Sequence, residues 1–456
     1  MNKFVPWFCL VIGLLIIGKG LMPPRYSSTY EVQRFAEIPV QAGGRILPLD
    51  SVAGNTLRII RGRETVNTDE VVEVKNPVAR WIYGLFGVEK KKKLSAIQWM
   101  LELSFTPESA HNMPIFRIDH PEVLGLFGWQ QENRQYFSFE DLRPHFPVIR
   151  QQASQAEPEP QLRSVYEQQL LKLYNAIDQY FLLSRIFHPG NRLDQLTLEY
   201  DAWEAIAKPG RKAYAAHDSG GEFDGQILAT YALFEPRYTD LANNNRVSIV
   251  PPQTPSQLNE NDWLNLGEAL LLAGDTGSLH PVVRAYVELA QAWRQGDADA
   301  FNATLDTLHG ELAPATPTGR VAFEEFFNTF QPFYQASILY VLIFLLAAFS
   351  WLFMPQALQR GAFMLMLLAF AVHTFGLFAR MYIQDRPPVT NLYSSAIFVG
   401  WGTVLLGIIL ETIYKNGVGS FVSGIVGFIT LVIAHNLSKT GDTLEMMQAV
   451  LDSNFW

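Results

Sequence analysis

Phe370-Ala-Val-His-Thr-Phe-Gly-Leu-Phe-Ala-Arg-Met-Tyr-Ile-Gln-Asp-Arg-Pro-Pro-Val-Thr-Asn-Leu-Tyr393 decides how the rest of the chain is read. His373 sits inside an apolar run long enough to cross a bilayer. Arg380 follows, then the Pro387-Pro388 turn, then Asn391-Leu-Tyr393 opening onto a second apolar run that contains Trp401. Two membrane helices joined by a short, stiff, polar hairpin over 384–391 are expected. An ionisable side chain at membrane depth is costly, so His373 is a functional candidate from the outset.

The surrounding composition agrees. Of 456 residues, 48% are hydrophobic and 13% aromatic, with a formal net charge of −9. The apolar residues gather at the two ends and the charged ones between about residue 25 and residue 333. That distribution predicts a membrane protein with a large water-facing insert. An acidic chain is a poor match for nucleic acid, which wants clustered Lys and Arg. Lys90 to Lys93 make one such cluster, but a short lysine run is most simply a solvated face. Cys9 is the single cysteine, so one chain can build neither an internal disulfide nor a thiolate metal site.

In order, Phe4 to Gly18 is an apolar run flanked by Lys3 and Lys19 and reads as an uncleaved anchor, residues 1–24. Residues 25–333 form the insert, mostly helical with a few short strands. Within it, Glu37 to Asp50 pairs short β-type runs across a Gly43-Gly44 turn. Ser51 to Arg61, Val78 to Phe86 and Leu94 to Leu103 look helical, and Phe116 to Phe127 reads as a strand leading into a helix at Pro121. Residues 151–160 look like a polar break. Leu162 to Phe187 is amphipathic, with Tyr166, Leu170, Leu173, Ile177 and Phe181 at helical spacing. Residues 188–260 read as loop-rich, and Trp263 to Leu308 as a run of short helices.

Residues 334–456 return to the membrane through Ile338–Phe353, Ala362–Tyr382, Leu392–Tyr414 and Phe421–Ala434. With the anchor, the expected fold is an α-helical polytopic membrane protein of about five transmembrane helices carrying an extracytoplasmic insert. If Lys3 is cytoplasmic, Arg360 and Lys415 are too, as the positive-inside tendency prefers. The insert, the Pro-Pro hairpin and the C-terminal tail then share the outer, periplasmic side.

His373 is expected roughly 16 Å into a helix starting at Ala362, near the bilayer midplane. Arg380 falls on nearly the same face. A neutral imidazole suits haem iron, and a guanidinium suits a carboxylate such as a haem propionate. The plainer reading is a histidine bonded to a neighbouring helix, with Arg380 reaching to the interface. His435 ends the last span, where a wet helix end is the plain reading. Asn391 is placed to cap a helix, and Tyr393 and Trp401 fit either interfacial aromatics or the walls of a flat-ring pocket. No nucleotide-binding loop, metalloprotease motif or nucleophile elbow occurs in the sequence.

His373, Gly376, Leu377 and Arg380, followed by Pro388, Asn391, Leu392, Tyr393 and Trp401, resemble the cytochrome c assembly proteins of the CcsA (ResC) type. The segment from Ile38 to Asp50 resembles the leader of versions with a ResB-like outer domain fused upstream. The resemblance implies cytochrome c biogenesis of the system II type. Haem b would be carried across the bacterial inner membrane as a transported substrate and delivered for covalent attachment to apocytochrome c. It implies haem-binding roles for His373, Arg380, Asn391, Tyr393, Trp401 and His435, with His373 as the iron ligand. The family's tryptophan-rich outer loop and first outer histidine lie beyond Trp456, and many members carry Glu where this chain has Ser394. The expected unit is therefore part of a cytochrome c synthase completed by further sequence or a second membrane subunit. The alternative is a non-catalytic, membrane-anchored assembly or scaffold subunit.

Overall fold

The computed structural model describes residues 4–22, 28–72, 91–130, 134–190, 193–252, 263–316, 319–438 and 441–444. The chain divides into two compact units, Ser28–Thr318 and Met1–Ser27 with Gly319–Trp456. Helix α1 (Phe4–Gly20) opens the second of these.

In the unit Ser28–Thr318 a short helix, Val32–Ala36, precedes a hairpin of β1 (Pro39–Ala42) and β2 (Arg45–Pro48). Its two-residue turn is Gly43-Gly44, with φ of 59° and 79°. Those angles match the tight turn that follows the twist of antiparallel strands and that glycine adopts without strain. Helix α2 (Leu49–Arg61) follows at once. Lys91 to Lys93 of the lysine run fall on a strand: β4 (Lys91–Ser95) pairs antiparallel with β3 (Thr65–Val71), and Lys92 meets Glu70 at 2.7 Å. The expected helix at Val78 to Phe86 lies outside the described residues. Helix α3 (Ala96–Phe105) starts from a capping box of Ser95 and Gln98. Strands β5 (Phe116–Arg117) and β6 (Tyr136–Phe137) pair, and Pro121 opens a short helix, Pro121–Leu126.

The helix Phe146–Gln155 runs through the first half of the expected polar break. Helix α4 (Val165–Ser184) is shorter than its amphipathic pattern and buries Leu170, Leu173 and Ile177, while Phe181 is 42% exposed.

The loop-rich reading of 188–260 is corrected. Helices α5 (Leu196–Asp218) and α6 (Gly225–Asn244) occupy most of that zone, each with a proline inside, Pro209 and Pro236. An interior proline removes a backbone hydrogen bond and costs about 3 kcal/mol. Tyr200, Trp203 and Tyr238 are fully buried at this hairpin, and each such side chain returns roughly 1.5–3 kcal/mol. Tertiary packing overrides the local breaker signal. Helices α7 (Leu266–Thr276), α8 (Pro281–Gln295) and α9 (Ala298–Leu312) complete this unit.

In the apolar unit, α10 (Arg320–Phe330) turns at Gln331 into α11 (Pro332–Ser350). Then come α12 (Pro355–Gln384), α13 (Leu392–Tyr414) and α14 (Val418–Leu437). Among the described residues, four helical stretches are long and apolar enough to cross a membrane: Arg320–Ser350, Pro355–Gln384, Leu392–Tyr414 and Val418–Leu437. The 17-residue α1 is apolar but shorter, and it packs on α12, with Cys9 beside Gly361. Helix α12 begins seven residues before the expected Ala362, because Pro355 is preorganised for a first helical turn. The four long helices share a core that includes Leu339, Tyr340, Met366, Ile397, Val404 and Leu431. Their outward faces carry large apolar side chains such as Leu406, Ile413 and Phe378.

The loops sort to two ends of the bundle. At one, Trp351 and Gln359 donate to the Asn416 carbonyl at 3.0 and 3.2 Å, joining the α11–α12 turn to the α13–α14 turn. The opposite end holds the Asp385–Asn391 hairpin, α10 and residues 441–444, with Arg320 3.4 Å from Asp385.

Candidate functional site

His373 stands near the middle of α12 and is completely buried. Its Nδ1 is 2.9 Å from the Tyr340 hydroxyl on α11. The Phe333 ring meets it edge-on at 5.6 Å between centroids. On the α13 side, a Cβ added to Gly400 would sit 3.7 Å from His373 Cε1, in ordinary contact, while Thr430 of α14 is the neighbour that requires glycine there. Nε2 lies beside the Ile397 backbone yet makes no hydrogen bond of good geometry. An unsatisfied nitrogen buried this deeply costs about 1–3 kcal/mol.

Arg380 is two turns further along α12, roughly 10 Å away at the helical rise. Its guanidinium is buried and lies 4.7 Å above the Tyr393 ring. Nη1 donates to Thr443 Oγ1 at 3.2 Å and Nη2 to the Thr443 carbonyl at 2.6 Å. Asn391 joins them. Its Oδ1 accepts from Ser394 N at 2.8 Å, capping α13, while its Nδ2 donates to the same Thr443 carbonyl at 3.2 Å. The cap leaves Asn391 a side-chain donor aimed across the hairpin, which explains asparagine in place of aspartate.

The structure thus brings Arg380, Asn391 and Tyr393 together around Thr443. Trp401 belongs to a different constellation. Its ring is stacked near Phe370 and Phe398, at 5.5 and 5.6 Å, and its indole N–H donates to Thr374 at 2.9 Å. Two aromatic neighbours already hold the stacking positions that a flat ligand would take there. His435 lies exposed in the last turn of α14.

The sequence alone does not single out Tyr340, Phe333 or Thr443. Tyr340 carries a polar tip inside an apolar span, a signal of the same kind as His373 but weaker, since tyrosine is common in such helices. Thr443 has no sequence signal at all, because its contribution comes partly from the main chain.

Could these residues hold haem? The donor chemistry fits: an imidazole oriented through one ring nitrogen presents the other to a metal. The packing is closed, however. Ile397, Phe333 and Gly400 surround the ring, so a macrocycle reaches Nε2 only after α12 and α13 part. Among the described residues, no cluster of three or more His, Cys, Asp or Glu could hold a metal ion. Compared with family models and with curated proteins, the sequence matches none.

Proposed function

We propose that the chain handles haem in a bacterial inner membrane during cytochrome c maturation, receiving it between α12 and α13 and delivering it on the periplasmic side to apocytochrome c. One observation carries this reading: His373 Nε2 is buried among apolar helices with only the Ile397 backbone beside it and no hydrogen bond of good geometry, while Nδ1 is held by Tyr340. Haem is the cargo, His373 its iron ligand, and Arg380 the partner of a propionate at the outer end of the same helix face. Asn391 and Tyr393 shape that outer end. The unit Ser28–Thr318 serves as the docking body for apocytochrome or for a second membrane subunit. Deleting the gene in its host and staining c-type cytochromes for covalent haem tests this. Loss of stain, restored by the wild-type gene, is expected; unchanged cytochrome content overturns it.

The close packing around His373 favours a second reading, in which the helices only anchor an assembly or scaffold subunit. That reading predicts no haem on the purified chain and full function from a His373→Ala variant.

A further inference from the structure

Thr443 presents two oxygens to the Arg380 guanidinium, Oγ1 at Nη1 (3.2 Å) and its carbonyl at Nη2 (2.6 Å). Two oxygens side by side on two guanidinium nitrogens reproduce the arrangement in which arginine binds a carboxylate. Asn391 adds a third donor to the carbonyl at 3.2 Å. Donors from α12 and from the start of α13 therefore converge on one residue of the 441–444 segment. Leu444 fastens that segment: it is buried against Phe327, Ala379 and Ile383, and its amide donates to Asp442 Oδ1 at 2.9 Å. On α13, Tyr393 lies against Arg380 and Ile397, one helical turn further on, lies beside His373.

We infer that residues 441–444 are an internal strap, with Thr443 occupying the carboxylate position of the Arg380–Asn391 site and closing the outer end of the α12–α13 seam until a carboxylate-bearing ligand displaces it. This rests on the haem reading above for the identity of the ligand. An ionised carboxylate makes stronger bonds to guanidinium than a carbonyl and a hydroxyl do, so the exchange favours the ligand. Released, the strap leaves the hairpin free to separate from α12.

The test is made on the full-length protein in detergent, with Thr443→Cys on a Cys9→Ala background, following the rate of maleimide labelling. Haemin should accelerate labelling about tenfold, as expected for a moderate shift between closed and released populations. Haemin dimethyl ester, which lacks free carboxylates, should leave the rate unchanged. Leu444→Ala should raise the labelling rate without ligand and tighten haemin binding. A Soret band showing bound haemin with no change in labelling overturns the strap and leaves the haem reading standing. Equal acceleration by the ester also overturns it. Absence of any haemin binding removes the haem reading and the strap with it.

Discussion

The Tyr340 hydroxyl and His373 Nδ1 lie 2.9 Å apart, joining α11 to α12 inside the apolar bundle. The bond fixes the imidazole plane, and its direction follows the tautomer: when Nδ1–H donates to the phenol oxygen, Nε2 keeps a free lone pair. Tyr340→Phe removes the bond and leaves Nδ1 buried and unsatisfied. A loss of about 1–3 kcal/mol of stability is expected, read as a lower Tm in detergent. Haemin affinity should fall roughly 10–100-fold, as for removal of an outer partner of a metal ligand. Unchanged affinity would mean that Tyr340 does not orient the ring.

Glu411 is buried at the end of α13 and reaches the first turn of α14. Its two carboxylate oxygens accept from Gly417 N at 2.9 Å and Ser420 N at 3.2 Å. These are amides that the helix cannot satisfy itself, at its positive end. Glu411→Ala should cost about 1–3 kcal/mol, and Glu411→Gln, which keeps one acceptor oxygen, should cost less. Thermal unfolding of the three proteins side by side checks the order; equal Tm values would dismiss the cap.

Helices α13 and α14 pack backbone against backbone at Gly419. A Cβ there would sit 2.5 Å from the Gly407 carbonyl and 2.8 Å from Glu411 N, both backbone atoms that cannot swing aside. Small residues of this kind let membrane helices pack backbone to backbone. Gly419→Ala should lower stability by about 1–3 kcal/mol through overpacking. Gly402→Ala, with open space around its Cβ, should be neutral. Comparable losses from both would show that contact at this crossing is not what matters.

His188 belongs to the unit Ser28–Thr318 and is wholly enclosed. Gly190 N donates to its Nδ1 at 3.0 Å, so Nε2 carries the proton and donates to the Ser104 carbonyl at 2.6 Å. Burial pushes its pKa down from 6.5 to about 4. Because the folded pKa is the lower one, the unfolded chain takes up the proton first as the medium acidifies. Stability from this residue is therefore complete above pH 6.5, declines from there to about pH 4, and stays lost below. The full effect is at most about 3 kcal/mol, at 1.36 kcal/mol per pH unit. Urea unfolding between pH 7 and pH 4 should show the decline, and His188→Gln should flatten it. Identical pH slopes in the two proteins would contradict this assignment.

Much of the apolar unit is legible in the sequence because lipid tolerates so few solutions. Long apolar runs must be helices, and the Pro387-Pro388 turn and the Asn391 cap mark where one ends and the next begins. The Gly43-Gly44 hairpin is legible for a similar reason, since few residues accept its backbone angles. What escapes is long-range. Pro209 and Pro236 read locally as breakers, and only the burial of Tyr200, Trp203 and Tyr238 keeps α5 and α6 intact. In the site, spacing along one helix aligns His373 with Arg380. Nothing in the sequence pairs His373 with Tyr340, 33 residues earlier, or brings the Thr443 main chain to Arg380.

If His373 offers Nε2 to haem iron, the haem itself reports it. The most direct measurement is the absorption spectrum of the purified full-length protein titrated with haemin, beside His373→Ala and His435→Ala. A histidine-ligated Soret band should saturate in the wild type, persist in His435→Ala and be lost or shifted in His373→Ala, with all three proteins eluting as the same folded species. A band of equal position and intensity in His373→Ala would contradict that ligation.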